Sequence, residues 1–546
     1  MQILKNEAGD IAVAVEELKK GNVVAIPTET VYGLAANALD PEAVIKIFKA
    51  KGRPSDNPLI VHIADAFDME KFAIPNEIAY KLAEKFWPGP LTMILPKRDC
   101  IPTTVTAGLD TVAIRMPEHP VAREIISQSG LPLAAPSANI SGKPSPTSAQ
   151  HVIDDFRENP YVAAIIDGGK CKCGVESTVL SLCGAEPCLL RPGFVTADML
   201  RTVIPNLKIA EAVLKELPSS EKALSPGLKH KHYAPKARTV CIKGLCENAL
   251  KYVKLDGNIK KTVICFNGEE AVFAGCNVIP YGKSDDFEEL AENLFDALRQ
   301  ADALDCEKIY VRIPEIDEKS VNGVLLAVYN RLLRAASFTV IDCDSAAKGL
   351  VIGVTGQSGA GKGTLCKILE NKGFFHIDTD KVWHDMIDEC APKLEAVFGK
   401  VTDKNGRVDR KILGEKAFSS EENLKKLNEI AHKSIMAKVS EIMDENRSKG
   451  IFNFAVDGAA LFEAGAKATC DFIIAVTADW NSRLDRVKKR DGIDDKRAEA
   501  RFSGQKSEEF YTENADFTII NDDIGTLEAK IEAILKKYNE NQIKHL

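Results

Sequence analysis

The residues best suited to chemistry in this 546-residue chain are those that could hold phosphate. The stretch "VIGVTGQSGAGKGTL" places Gly356, Gly359, Ala360 and Gly361 just before Lys362. Glycines at this spacing let backbone N–H groups close around phosphates, and the lysine reaches the outer ones. Gly363 stands where a Ser or Thr hydroxyl usually meets Mg²⁺, and Thr364 is the next group that can take over part of that role. Downstream, "HIDTD" offers Asp378 and Asp380, "NLKKLNEIAHKSI" offers His432, and "FNFAVDGAALFEAG" offers Asp457. The basic helix "ADWNSRLDRVKKRDG" carries Arg486 and Arg490 one turn apart.

A second set lies nearer the N-terminus. Lys51 and Arg53 flank a glycine in "KGRPSDNPLIVHI", with His62 on the strand that follows. In "TVAIRMP" the alternation puts Thr111, Ala113 and Arg115 on one face and Val112, Ile114 and Met116 on the other. A loop shaped by Gly and Pro, "AAPSANISGKPSPTS", offers Ser137, Asn139, Ser141 and Ser145. "SPGLKHKHYAPKA" gathers Lys229, His230, Lys231, His232 and Tyr233 in what otherwise reads as a linker. Taken singly, these are solvated helix ends and turns. Taken together, they are groups suited to an anion.

Holding both sets requires more than one core. The length suggests roughly three or four domains, and 45% hydrophobic with 27% charged residues suits packed interiors. Residues 1–205 alternate strand and helix patterns. In "GNVVAIPTETVYGL" a buried strand from Val23 to Ile26 breaks at Pro27, and ligand groups in open α/β sheets sit at such strand ends. The helix "PEAVIKIFKAK", with Val44, Ile47 and Phe48 at core spacing, delivers Lys51 and Arg53. Residues 206–238 read as a linker, 239–345 as a small alternating segment, and 349–546 as a single domain opened by the glycine loop. A net charge of −8 argues against a surface built for bulk nucleic-acid binding. The 14 cysteines are scattered, and the cluster of Cys171, Cys173, Cys183 and Cys188 lacks paired CxxC spacing. Free thiols in a reducing compartment, and no metal site, are therefore expected. The opening "MQILKNEAGD" lacks a signal-peptide layout, and no apolar run approaches the roughly 18 residues of a membrane span, so a cytoplasmic protein is expected.

"PTETVYGL", "KGRPSDNPLIVHI", "PSANISG" and "GVESTV" together resemble the YrdC-type domain of L-threonylcarbamoyladenylate synthases across residues 5–205. The resemblance implies a twisted open α/β sheet, a linker folded back as a lid, and a small Rossmann-like second domain. It implies conversion of L-threonine, bicarbonate and ATP, with Mg²⁺, into threonylcarbamoyl-AMP, which passes to a tRNA threonylcarbamoyl transferase. By the same resemblance Lys51, Arg53, Asn57, Thr111, Ser137, Asn139, Ser145, Arg191 and Tyr233 hold ATP. Thr30, His62, Arg115 and Ser177 hold threonine. Lys51 and Arg53 would answer the charge that builds on the pyrophosphate leaving group. No general base stands out, which suits a reaction run by positioning. The alternative is a YrdC-like module that holds RNA.

The glycine loop, "DTD", "LNEIAH", "ALFEAG" and "KKRDG", in this order, resemble dephospho-CoA kinase over about 349–535. That implies a P-loop fold with a doubly wound parallel sheet and phosphorylation of the acceptor's 3′-hydroxyl. Asp380 becomes the general base and Lys362 the catalytic cation. Gly356, Gly359, Ala360, Gly361, Lys362, Gly363, Thr364, Arg486 and Arg490 hold ATP, and Asp380 and His432 the acceptor. The alternative is a nucleoside or nucleotide kinase.

Overall fold

The computed structural model describes residues 1–213, 233–256, 259–315, 323–346, 349–503, 505–522 and 524–544. Lys229, His230, Lys231 and His232 of the expected lid lie outside the described residues. The chain forms two units, Met1–Cys246 with Ile259–Val340, and Glu247–Asn258 with Ile341–Leu546. Among the described residues no helix is long and apolar enough to cross a membrane.

The first unit is built on an 11-stranded mixed sheet. Val23–Ile26, buried throughout, pairs antiparallel with Gly33–Asn37 and parallel with Val162–Asp167. Further across, Ile60–His62 runs parallel to Thr111–Arg115, which in turn pairs antiparallel with Leu91–Pro96. Leu91–Pro96 carries the sheet on to Thr178–Ser181 and then Cys188–Arg191. The sheet does not stop where the linker was expected to begin. Lys208–Ile209 pairs parallel with Cys188–Leu189, and a short turn, Glu211–Val213, follows it. Residues 206–213 thus belong to this core, because Leu207 and Val213 have apolar side chains to bury.

The same unit contains a smaller parallel sheet in which Asn277–Pro280, Lys261–Cys265, Lys308–Arg312 and Arg238–Lys243 lie side by side. The helices Phe287–Ala303 and Val324–Ala335 pack on it, which accords with the Rossmann-like expectation. One stretch departs from the expected 239–345 segment. Residues Glu247–Asn258 group with the second unit. There the Tyr252 hydroxyl donates to the Asp444 carboxylate, and the Arg447 guanidinium lies 5.1 Å from the Tyr252 ring.

The second unit has five parallel strands in the order Phe375–Asp378, Phe454–Asp457, Val351–Thr355, Phe472–Thr477 and Phe517–Ile520. Val351–Thr355 and Phe472–Thr477 are buried along their whole length, as strands covered on both faces must be. The glycine loop follows the central strand, at a crevice outside the carboxyl ends of the strands.

Candidate active sites

Local signals place the first cations. The helix Pro41–Lys51 starts at Asp40, whose carboxylate accepts from the Glu42 N–H at 2.9 Å, with Pro41 in the first turn. It ends at Gly52 in left-handed backbone, φ 60°. Lys51 is thereby buried, donating to the Ser137 carbonyl and, at 2.6 Å, to the Asn139 carbonyl. Arg53 turns back onto the carbonyls of Asn57 and Pro58, at 3.4 and 3.3 Å.

The strands place the next group. His62 and Arg115 are register partners on Ile60–His62 and Thr111–Arg115. Arg115 donates to Glu29 Oε1 at 2.6 Å and to Thr30 Oγ1 at 2.9 Å, while Glu29 Oε2 is buried with no partner. Burial, then the Arg115 charge, holds His62 down at about 3, so its imidazole is neutral at ordinary pH. Arg191 donates to the Ser177 carbonyl at 3.0 Å and hydroxyl at 3.1 Å, and Ser177 shares a 2.7 Å hydrogen bond with Thr92.

These groups line one cleft, together with Tyr233 and Glu176. The carboxylate that lines it, Glu176, is already committed to Arg331, as Glu29 behind Thr30 is to Arg115. Lys51, Arg53 and Arg191 donate only to carbonyls, a hydroxyl and a side-chain amide oxygen. Two buried cations, Lys51 and Arg191, and a half-buried one, Arg53, without acidic ion-pair partners should be reluctant cations. Burial holds Lys51 well below the lysine range and Arg53 at about 10, and lowers Arg191 too. Arg53 Nε and Asn57 Oδ1 are also buried without partners. The cleft has the chemistry of a polyanion site.

In the second unit the loop is shaped by crowding. A Cβ on Gly356 (φ 134°) would lie 2.2 Å from the Val476 carbonyl oxygen, and one on Gly361 (φ 108°) would meet Asn521. The helix Lys362–Asn371 starts at Gly361 with no side-chain cap, so its first N–H groups are left for an anion. Lys362 curls back to the Gly356 carbonyl at 3.0 Å. Arg486 lies over the loop carbonyls of Gly359 and Ala360 at 3.3 and 3.4 Å. Asp378 caps the helix Thr379–Met386, accepting from the N–H groups of Asp380 and Lys381 at 2.9 and 3.1 Å. Its neighbour Asp380 is not used that way. Crowding by the surrounding protein, then the Asp378 carboxylate, raises Asp380 above the ordinary carboxyl range.

Family models match in three consecutive segments: the Sua5, YciO and YrdC family over residues 16–193, the threonylcarbamoyl-AMP synthase C-terminal domain over 195–337, and dephospho-CoA kinase over 350–526. The threonylcarbamoyl-AMP synthase of Pyrococcus abyssi is 44% identical over 346 residues, 61% of this chain and 96% of that protein. The Bacillus subtilis synthase is 46% identical, over 94% of its length. A dephospho-CoA kinase of Fusobacterium nucleatum is 35% identical over 34% of this chain and 94% of its own. The chain belongs to both families. It is an enzyme with two activities, threonylcarbamoyl-AMP synthase and dephospho-CoA kinase. A crystal structure of the P. abyssi synthase with L-threonine superposes with a TM-score of 0.57 at 43% identity, covering 62% of this chain and 98% of that one.

Within the synthase part, Thr30, Lys51, Arg53, His62, Arg115, Ser137, Asn139, Ser177, Arg191 and Tyr233 all reach the cleft. Asn57 sits behind Arg53, and Ser145 behind Glu176, to which its hydroxyl donates. Thr111 does not reach the cleft lining. It pairs with Pro96 at the far end of its strand, four residues and therefore roughly 13 Å from Arg115. Sharing a face was not enough.

Sequence reading missed Glu176 and the arginines that come from the small sheet's helices. Arg331, fully buried, donates to Glu176 Oε2 at 3.0 Å, to the Glu176 carbonyl at 3.1 Å, and to the Pro192 carbonyl. Burial raises the Glu176 carboxyl, but Arg331 and Arg191 outweigh it and leave the group below its ordinary value. Arg299 donates to the Pro144 carbonyl at 2.6 Å and to Asp155 at 2.9 Å. Tyr233, with φ 62°, is buried against Phe295 with ring centroids 5.1 Å apart. In the kinase part, Arg490 is paired side-on with Asp491, and His432 is half-buried near Glu463 with its pKa lowered by burial. Asn521 and Gln505, also missed, donate to the loop at Ala360 O and Ser358 Oγ, at 2.8 and 2.6 Å.

Proposed function

We propose that the cleft joins L-threonine, bicarbonate and ATP into L-threonylcarbamoyladenylate and pyrophosphate, a product suited to tRNA threonylcarbamoylation by a separate transferase. The observation that carries this reading is the set of three cleft cations with no acidic ion-pair partner, the buried Lys51 and Arg191 and the half-buried Arg53. A triphosphate supplies the missing charge. As the carbamate oxygen attacks the α-phosphorus and pyrophosphate leaves, the same cations meet the charge growing on pyrophosphate, already oriented. Arg115 still has N–H groups free beyond those given to Glu29, Thr30 and Gly89, and these suit a substrate carboxylate. Tyr233, packed on Phe295, closes one side of the cleft.

The second unit, in this reading, moves the γ-phosphate of ATP to the 3′-hydroxyl of dephospho-CoA. The loop N–H groups, Lys362 and Arg486 hold the nucleotide, Asp380 accepts the hydroxyl proton, and His432 and Arg490 lie on flanking helices. The Asp378 carboxylate, with Thr364 on the first helix turn, offers hard oxygen donors that fit Mg²⁺. Bound there with the phosphates, Mg²⁺ supplies charge neutralisation.

Arg115 tests the first half. Arg115→Ala would strand the buried Glu29 carboxylate at a cost of about 3–5 kcal/mol in stability, so Arg115→Lys is the cleaner variant. It should raise the threonine requirement of threonine- and bicarbonate-dependent pyrophosphate release far more than the ATP requirement. Equal effects on both substrates would misplace the carboxylate. For the kinase, transfer to dephospho-CoA should exceed transfer to AMP and nucleosides. The reverse order would keep the P-loop and discard the acceptor.

A further inference from the structure

Beneath the helix Lys362–Asn371 three side chains converge that the phosphoryl-transfer reading leaves unused. Cys366 comes from that helix, His376 from the strand Phe375–Asp378, and Asp457 from the end of the strand Phe454–Asp457. One donor atom from each lies within 4.8 Å of the other two. Cys366 is fully buried. His376 Nε2 stands 3.6 Å from Asp457 Oδ2 and is buried without a hydrogen-bond partner. The other ring nitrogen, Nδ1, faces Glu370 Oε1 at 3.7 Å.

We propose that Cys366, His376 and Asp457 form a binding site for a divalent cation of the zinc class, with a fourth position open to water. A mixed sulfur, nitrogen and oxygen set on a tetrahedron suits Zn²⁺ and discriminates against Mg²⁺, which takes oxygen ligands in an octahedron. Metal–ligand lengths of about 2.0–2.3 Å put tetrahedral donor atoms about 3.3–3.6 Å apart. The His376–Asp457 separation of 3.6 Å already meets that. No separation exceeds 4.8 Å, so about 1.2 Å is the most that any pair has to close. Glu370 supplies what metal-binding histidines usually have, a carboxylate on the second ring nitrogen that turns the first towards the ion. Binding converts the thiol to thiolate and releases its proton. It also ties the helix behind the phosphate loop to two strands of the sheet. The site departs from the expectation of no metal, and it involves none of the four clustered cysteines near residue 180.

The test uses the full chain, stripped by a chelator and kept in millimolar Mg²⁺. Titration with Co²⁺ should give one equivalent of a tetrahedral spectrum with a thiolate-to-cobalt charge-transfer band. Zn²⁺ should displace it and raise the melting temperature, and added Mg²⁺ should do neither. Cys366→Ala and His376→Gln should each abolish the band and weaken Zn²⁺ at least about 100-fold, while Glu370→Gln should weaken it about 10-fold. Cys366→Ser, closer in size, keeps the result readable should the alanine variant melt early. An octahedral Co²⁺ spectrum, or Zn²⁺ affinity unchanged by both ligand substitutions, would overturn the site.

Discussion

A lysine buried beside guanidiniums releases its proton readily, and Lys51 is such a lysine, with burial and Arg53 outweighing the opposing carboxylates of Asp155 and Glu176. A triphosphate beside it favours the ammonium, so its pKa with ATP bound lies above that of the free cleft. Between those two values, binding must take up a proton. Below the free value it takes up none, because the lysine is already charged. Calorimetry in buffers of different ionisation enthalpy should show uptake on the alkaline side, fading as pH falls and missing in Lys51→Met. If the wild type shows no uptake at any pH, the phosphates lie elsewhere. Asp380 is the kinase counterpart, a carboxylate not spent on capping, whereas Asp378 gives its oxygen to two backbone N–H groups. Asp380→Asn keeps the size and removes the base, which typically costs about 10²–10⁴-fold in rate. Transfer to dephospho-CoA should fall in that range with ATP binding retained. Near-normal turnover would make Asp380 a structural residue.

The phosphate loop shows how an element decides which residues are replaceable. Gly356 and Gly361 have both positive φ and a neighbour where a Cβ would go. Gly363 has neither, being exposed on the first helical turn with nothing within 4 Å of a Cβ. Gly363→Ser therefore fits without strain and removes a helical glycine, for a gain of up to roughly 0.5 kcal/mol. It also restores a hydroxyl at the place where Mg²⁺ usually finds one. The Mg²⁺ concentration needed for half-maximal phosphate transfer should fall while the melting temperature holds or rises. An unchanged Mg²⁺ requirement would mean that Thr364 and the phosphates already suffice.

Across the first unit, the small sheet acts as a brace for the synthase cleft. Arg331 grips Glu176 and Pro192, the neighbours of the cleft residues Ser177 and Arg191, and Arg299 grips Pro144 in the loop before Ser145. Arg331→Gln should lower synthase kcat and weaken ATP binding without altering kinase turnover. Arg331→Lys, which keeps the charge but loses the fork, should recover stability more than activity. Loss of melting temperature alone, with wild-type kcat in the folded fraction, would reduce Arg331 to a packing residue.

Local rules carried much of this protein in its sequence. A phosphate loop needs glycines at fixed spacing before a helix, and a helix that starts at Asp-Pro and stops at Gly commits Lys51 and Arg53 to a turn; such requirements span about ten residues and are visible in any window that long. Strand alternation put Arg115 on the correct face, yet it could not say how far along the sheet the cleft extends, and Thr111 fell outside. The groups that only the folded chain brings together are distant in sequence. Arg331 meets Glu176 from 155 residues away, and Cys366, His376 and Asp457 meet only because the strands Phe375–Asp378 and Phe454–Asp457, far apart along the chain, pair beneath a helix. A short motif is written by local backbone geometry, whereas a long-range contact depends on which faces the whole core must bury, and that is decided only when the sheet closes.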